Sequence, residues 1–103
     1  MVTKINEVID TCEAFEWDEG NREKNWIKHK VSWSEIEESF LNTPLLLKSD
    51  VKHSQKEVRY WALGKTNNAR TLFISFTIRG EKIRIISARD QNRKERSTYE
   101  QTI

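Results

Sequence analysis

Residues 71–89 read TLFISFTIRGEKIRIISAR, and no other segment constrains the architecture as tightly. Even positions from 72 to 78 are Leu72, Ile74, Phe76 and Ile78; odd positions are Thr71, Phe73, Ser75, Thr77 and Arg79. A period of two with one apolar side predicts a half-covered strand, Phe73 being the exception on its polar side. Arg79-Gly80-Glu81 predicts a tight turn, and 82–89 returns as the antiparallel partner. That second strand breaks its alternation at Ile85-Ile86, where ideal pleating would send Arg84 and Arg89 to opposite faces. A β-bulge at Ile85 or Ile86 would place Arg84, Ser87 and Arg89 on one face and bury both isoleucines. The alternative is a strand covered on both faces.

Upstream, LLLK (45–48) and EVRYWALG (57–64) read as further strands, separated by a polar loop, with KTNNAR as the turn before residue 71. Before them the period is helical. Ser32-Trp33-Ser34-Glu35 is a capping box, with Val31 and Ile36 at the two positions of a hydrophobic staple. The helix it starts carries Trp33, Ile36 and Phe40 on one face and ends at Asn42-Thr43-Pro44, because a residue before proline avoids helical ψ. Asp18 is the expected N-cap of an earlier helix running to about His29, with Glu19 and Glu23 near its positive end. AFEW (14–17) is a possible short strand, and Ile5, Val8, Ile9 and Cys12 recur at helical spacing. Asn92-Arg93-Lys94-Glu95 is a second capping box, predicting a polar helix over 93–101 whose Arg93, Arg96 and Tyr99 extend a basic surface. The fold class is α+β.

The chain has 103 residues, 36% hydrophobic and 33% charged, with four Trp and four Phe. That is one domain with a lean core, which the aromatics are expected to supply in large part. The net charge is only +2, but it is unevenly spread. Residues 1–64 hold 9 Lys/Arg against 12 Asp/Glu, whereas 65–96 hold 9 against 3. A cationic half suits a polyanion or an acidic protein partner. A single cysteine, Cys12, and the lack of a long apolar run or a signal-peptide pattern point to the cytoplasm.

No CxxC, HExxH or glycine-rich phosphate loop is present, so neither a metal nor a cofactor is expected. Cys12 with His29 and His53 makes a poor nucleophile–base set. What remains is the arginines. Guanidinium groups suit bidentate phosphate contact, and paired strands fix their geometry. Single-stranded RNA would add stacking on Tyr60, Trp61 or Tyr99. RNA also carries its own nucleophile, the 2′-hydroxyl; cleavage then needs a proton carrier, for which Glu57, His53 and Tyr99 are candidates, and cations for the developing phosphorane charge. A non-catalytic basic module that docks an acidic partner or nucleic acid is the alternative.

FEWD (15–18), Asn25, Lys28-His29, Val31-Ser32, His53-Ser54, Glu57-x-Arg59, Gly64, RGEKIRIISAR (79–89) and RKERSTYE (93–100) resemble the BrnT family of bacterial type II toxins from about residue 15 to 100. The resemblance implies a RelE-like fold, with N-terminal helices packed on a small antiparallel sheet and a short C-terminal helix, over residues 14–103, residues 1–13 being an extension. It implies a metal-independent endoribonuclease that blocks translation. Its implied partners are RNA, a BrnA-like antitoxin in a dimer of heterodimers, and DNA only through that antitoxin; no membrane is implied. The resemblance maps functional roles onto Arg59, Arg79, Arg84, Arg89 and Arg93, with Glu57 and Tyr99; taken with the residue reading, the expected catalytic residues are Arg79, Arg84, Glu57 and Tyr99, and the expected RNA-binding residues Arg59, Arg89, Arg93, Arg96 and His53. Two positions depart from the family pattern: Asn21 stands where a lysine is usual, and Lys30 where a glycine is. Glycine would relieve a left-handed helix end, so Lys30 either bears strain or changes the cap.

Overall fold

The computed structural model describes residues 14–17, 19–50 and 57–102. The expected helical spacing in residues 1–12, the Asp18 cap, most of the polar loop before residue 57 and His53 lie outside them. The elements are β1 (Ala14–Glu16), α1 (Glu19–His29), α2 (Trp33–Leu41), β2 (Leu46–Ser49), β3 (Arg59–Lys65), β4 (Thr71–Arg79), β5 (Lys82–Asp90) and α3 (Arg93–Thr102). They form an α+β fold around one five-stranded sheet of order β1-β5-β4-β3-β2. β2 to β5 are an antiparallel meander, but β1 joins the β5 edge in parallel, Ala14 opposite Lys82 and Glu16 opposite Arg84. The sheet is therefore mixed, a correction to the all-antiparallel expectation. Between β1 and β2 the chain runs through α1 and α2 and joins the two outer strands.

The β4–β5 hairpin has the expected bounds, and its register supplies the bulge. Phe76 pairs with Ile85 and Ser75 with Ser87, so Ile86 is the extra residue. Arg84, Ser87 and Arg89 consequently face the same way as the odd residues of β4. Only Ile85 is fully buried; Ile86 stays half-buried, so the expectation that both isoleucines would be covered is corrected.

The main core lies under α1 and α2. Val31, Ile36, Phe40, Leu47, Ala62, Leu72, Ile74, Phe76, Ile83, Ile85 and Ala88 form it, with Phe15 and Tyr60 packed against its edge. Phe40 makes edge contacts to Phe15 and Phe76 at 5.4 and 5.2 Å. The core is thus mainly aliphatic, and no tryptophan of the described residues is among its buried members. Trp33 is about half exposed and instead lies under the Arg22 guanidinium, 5.2 Å away.

Local rules explain the helix ends. Glu35 N–H donates to Ser32 Oγ at 3.2 Å and Ser32 N–H to Glu35 Oε1 at 3.0 Å, the reciprocal capping box. Both staple residues, Val31 and Ile36, are wholly buried. α1 ends on Lys30, whose φ of 55° is left-handed and whose N–H donates to Trp26 C=O at 2.9 Å. Lys30 therefore bears the strain a glycine would avoid. Gly64 has a different role: a Cβ there would stand 3.0 Å from the Ser39 carbonyl oxygen, so its bareness lets α2 lie close to β3.

Candidate nucleic-acid interface

Residues directly opposite one another on neighbouring strands point to the same face of a sheet. The registers therefore lay out the sheet face opposite α1 and α2 row by row. One row runs Glu16–Arg84–Thr77–Arg59 across β1, β5, β4 and β3. Beside it, at the hairpin end, Arg79 stands opposite Lys82. On the other side follows Ser87–Ser75–Trp61–Lys48, and then Arg89–Phe73–Leu63–Leu46. α3 covers the far end of this face, where Leu63 and Tyr99 are buried outside the main core.

The arginine row is preorganised and only partly exposed, the Arg84 side chain at 24%. Arg84 Nη1 lies 3.7 Å from Glu16 Oε1, and Arg79 Nε donates to Glu57 Oε2 at 3.3 Å, in a pair about half exposed on the arginine side. Thr77 lies between Arg84 and Arg59 in the register. It is buried, and its hydroxyl donates to the Val58 carbonyl at 2.7 Å, holding the strand that leads into Arg59. The half-exposed Arg79–Glu57 contact is weak, of order 0.2–1 kcal/mol, so a phosphate can take that guanidinium group over.

Beyond the serines the face changes character. Trp61 and Phe73 stack at 5.8 Å between centroids with an interplanar angle of 27°. Lys48 Nζ lies 5.9 Å from the Trp61 ring and the Arg89 guanidinium 4.3 Å from the Phe73 ring. Together they make a ladder of cation, ring, ring and cation. A cleft of about 330 Å³ opens above the two rings, rimmed on the α3 side by Asn92, Lys94, Glu95 and Thr98.

The other expected site residues are dispersed. Arg89 is tied to Glu95 by two bonds of 2.8 and 2.9 Å, a fork that carries the start of α3. Burial pushes the Glu95 carboxyl up, but the Arg89 guanidinium and the Asn92 amide outweigh it and hold its pKa low. Arg93 and Arg96 are exposed on the first turn of α3, and Arg96 is near enough to Asp90 to help lower that carboxyl. Arg84 and Asp90 are six residues apart along one strand, roughly 20 Å. The cations of residues 79–96 therefore do not converge on one pocket. Arg59, Arg79 and Arg84 group at one end, and Arg93 and Arg96 stand at the other. Tyr99 is not brought to the arginine row either: it is 2% exposed, its hydroxyl donates to the Pro44 carbonyl at 2.5 Å, and burial raises its pKa. Tyr60, a stacking candidate, lies on the core side against Phe76 at 5.5 Å.

One cation of the basic half has a structural task that sequence reasoning passed over. Arg70 donates to the carbonyls of His29 and Lys30 at 3.1 and 2.8 Å, to Glu35 Oε2 at 3.1 Å, and to Asp90 at 2.7 and 3.2 Å. It closes the C-terminal end of α1 and ties it to α2 and β5. Phe73, by contrast, was signalled by its odd position on a polar face. Asn25 is buried, and its Oδ1 accepts the Ala88 amide at 3.1 Å, anchoring α1 to β5 where β1 no longer reaches.

Among the described residues, no three His, Cys, Asp or Glu side chains cluster as metal ligands would. No described helix is long and apolar enough to cross a membrane.

Comparison with known proteins adds two findings. The family model of the BrnT ribonuclease toxins of type II toxin–antitoxin systems matches residues 17–95. The crystal structure of the Brucella abortus ribonuclease toxin BrnT is similar in fold, with a TM-score of 0.57 and 23% identity, over 78% of this chain and 97% of that one. No curated protein matches the chain.

Proposed function

We propose a reaction from one premise: the chain belongs to the BrnT family of ribonuclease toxins of type II toxin–antitoxin systems. In this reading residues 14–103 form one RelE-like toxin domain that cleaves RNA in the cytoplasm without a metal ion and so inhibits translation. A scissile phosphate binds across Arg59, Arg84 and Arg79. The 2′-hydroxyl of the preceding ribose attacks the phosphorus and passes its proton to Glu57. The P–O5′ bond breaks, the 5′-oxygen leaves with a proton drawn from solvent, and the other product ends in a 2′,3′-cyclic phosphate. The three guanidinium groups take the charge that builds on the phosphorane oxygens, a task that preorganised cations perform well.

The observation that carries this reading is the register Arg84–Thr77–Arg59, with Arg79 beside it, on the sheet face opposite α1 and α2. Glu57 is favoured as the proton carrier by its contact with Arg79. Tyr99 serves packing, its hydroxyl being committed to Pro44. Arg89, Arg93 and Arg96 add general attraction for the RNA backbone, and His53 belongs to the same group. The partner is an acidic BrnA-like antitoxin in a dimer of heterodimers, and DNA is reached only through it.

The test is cleavage of single-stranded RNA in excess EDTA. Wild type cuts, whereas Arg84→Ala and Arg79→Ala lose at least a hundredfold in kcat, of the order expected when a preorganised transition-state donor is removed, with circular dichroism unchanged. Cleavage that survives Arg59→Ala, Arg79→Ala and Arg84→Ala together would refute the site. A wild type that does not cut RNA would instead leave a non-catalytic module that docks the antitoxin or nucleic acid.

A further inference from the structure

We infer that the cleft between the Trp61–Phe73 stack and α3 is a nucleobase subsite that seats one unpaired base of the RNA next to the scissile phosphate, and so sets where the chain is cut. The inference rests on the ribonuclease reading above and adds the ligand class of a second part of the same face.

Four observations converge. The floor is a pair of stacked rings on adjacent strands, fixed by the β3–β4 ladder rather than by a loop. A base can stack on the Trp61 face away from Phe73 by displacing the exposed Lys48, and such stacking is tolerant of sequence. The ladder is flanked by the exposed Lys48 over one ring and by Arg89, paired with Glu95, over the other, so the cation offered to a passing backbone is Lys48. The cleft, about 330 Å³, is at the small end of ligand pockets, which run from roughly 300 to 1,000 Å³. Its α3 rim carries Asn92, Lys94, Glu95 and Thr98; the Lys94 ammonium and the Asn92 amide N–H can donate to a base edge, whereas the Thr98 hydroxyl donates to the Lys94 carbonyl, Asn92 Oδ1 accepts the Glu95 amide, and Glu95 is held by Arg89.

The spacing fits. Trp61 is two residues from Arg59 on the same strand and face, a separation of about 7 Å. That is the scale between a backbone phosphate and its own base. Among the strand residues, only the small Ser75 and Ser87 lie between the arginine row and Phe73. α3 can form the rim because the Arg89–Glu95 fork and the Asn92–Glu95 capping box hold its first turn. A mainly structural reading of Trp61 predicts a closed stack; here the ring is half-buried and lines an open cleft.

Uncharged nucleosides separate base recognition from phosphate binding. Adenosine, guanosine, cytidine and uridine would be titrated in turn into the 15N-labelled full chain carrying Arg84→Ala, which keeps RNA products out of the measurement. The expected result is saturable shifts of the Trp61 indole N–H and of the Lys94 and Thr98 amides for at least one nucleoside, lost in a Trp61→Leu background. In otherwise wild-type protein, Trp61→Leu should lower kcat/KM on RNA about tenfold, the order given by loss of one stack, mainly through KM, and should redistribute the cut sites. Dispersed spectra establish that the variant folds. Silence of all four nucleosides, with an unchanged cut-site pattern in Trp61→Leu, overturns the subsite while leaving the arginine chemistry intact. Arg84→Ala retaining cleavage would overturn the chemistry instead, whatever the nucleosides do.

Discussion

Replacing Arg70 by alanine should destabilise this domain more than replacing any arginine of the sheet face opposite α1 and α2. The guanidinium makes five hydrogen bonds to four residues and is 28% exposed, so its bonds are only partly rescued by water. The two carbonyls it serves end α1, and each bond from a charged donor contributes about 1 kcal/mol. The Glu35 pair adds about 0.5–1 kcal/mol, and the Asp90 pair, whose acid is 62% exposed, about 0.5 kcal/mol. The expected loss is about 3 kcal/mol, which for a domain of this size lowers Tm by about 10–20 °C. Urea titration followed by circular dichroism measures it. Arg79→Ala, which removes only an exposed pair, is the control and should stay within about 0.5 kcal/mol. Arg70→Lys should recover only a fraction, since one ammonium cannot span acceptors on four residues. The pH profile gives an independent reading. At Glu35, burial raises the pKa, but Ser32 and Arg70 outweigh it; at Asp90 the Arg70 hydrogen bond is the largest influence, and both carboxyls titrate below their ordinary values. Carboxyls that are more acidic folded than unfolded contribute fully above an unfolded pKa of about 4 and lose that contribution as pH falls through the folded values. Wild type should therefore lose stability on the acid side, and Arg70→Ala should show a flatter acid limb. An Arg70→Ala variant within about 1 kcal/mol of wild type, with an unchanged acid limb, would refute the clamp.

Lys30→Gly should raise stability by about 0.5–1 kcal/mol, because the residue sits at φ 55° and glycine adopts that conformation without a Cβ clash. Thermal melts decide it, and a lower Tm would mean that the Lys30 contact with the Trp26 ring outweighs the strain. Tyr99→Phe should cost about 1 kcal/mol through loss of the bond to Pro44, with kcat of the folded fraction within about twofold of wild type. A hundredfold fall in kcat would instead give this hydroxyl a part in the chemistry.

Periodicity carried the local structure a long way. The β4–β5 hairpin, the bulge, the Ser32 capping box and the start of α3 were all legible in the order of residues, because each depends on neighbours a few positions apart. Of the two readings the broken alternation allowed, the register selects the bulge, which puts Arg84, Ser87 and Arg89 on one face. What the order of residues left undecided was the fate of side chains whose partners are distant in the chain. Arg70 and Arg84 are chemically identical and belong to the same cationic half. One reaches His29, Lys30 and Glu35 across 35–41 positions and becomes structural; the other lies on the sheet face away from α1 and α2, with Glu16 beside it. Tyr99 meets Pro44 across 55 positions and is buried, although its helix reads as polar. The parallel seat of β1 and the exposure of Trp33 belong to the same class. Hydrogen-bond caps and strand parity are settled within a turn or a pleat. Which charges pair, and which rings stay open to a ligand, depends on how the layers stack, and only the assembled sheet with its three helices decides that.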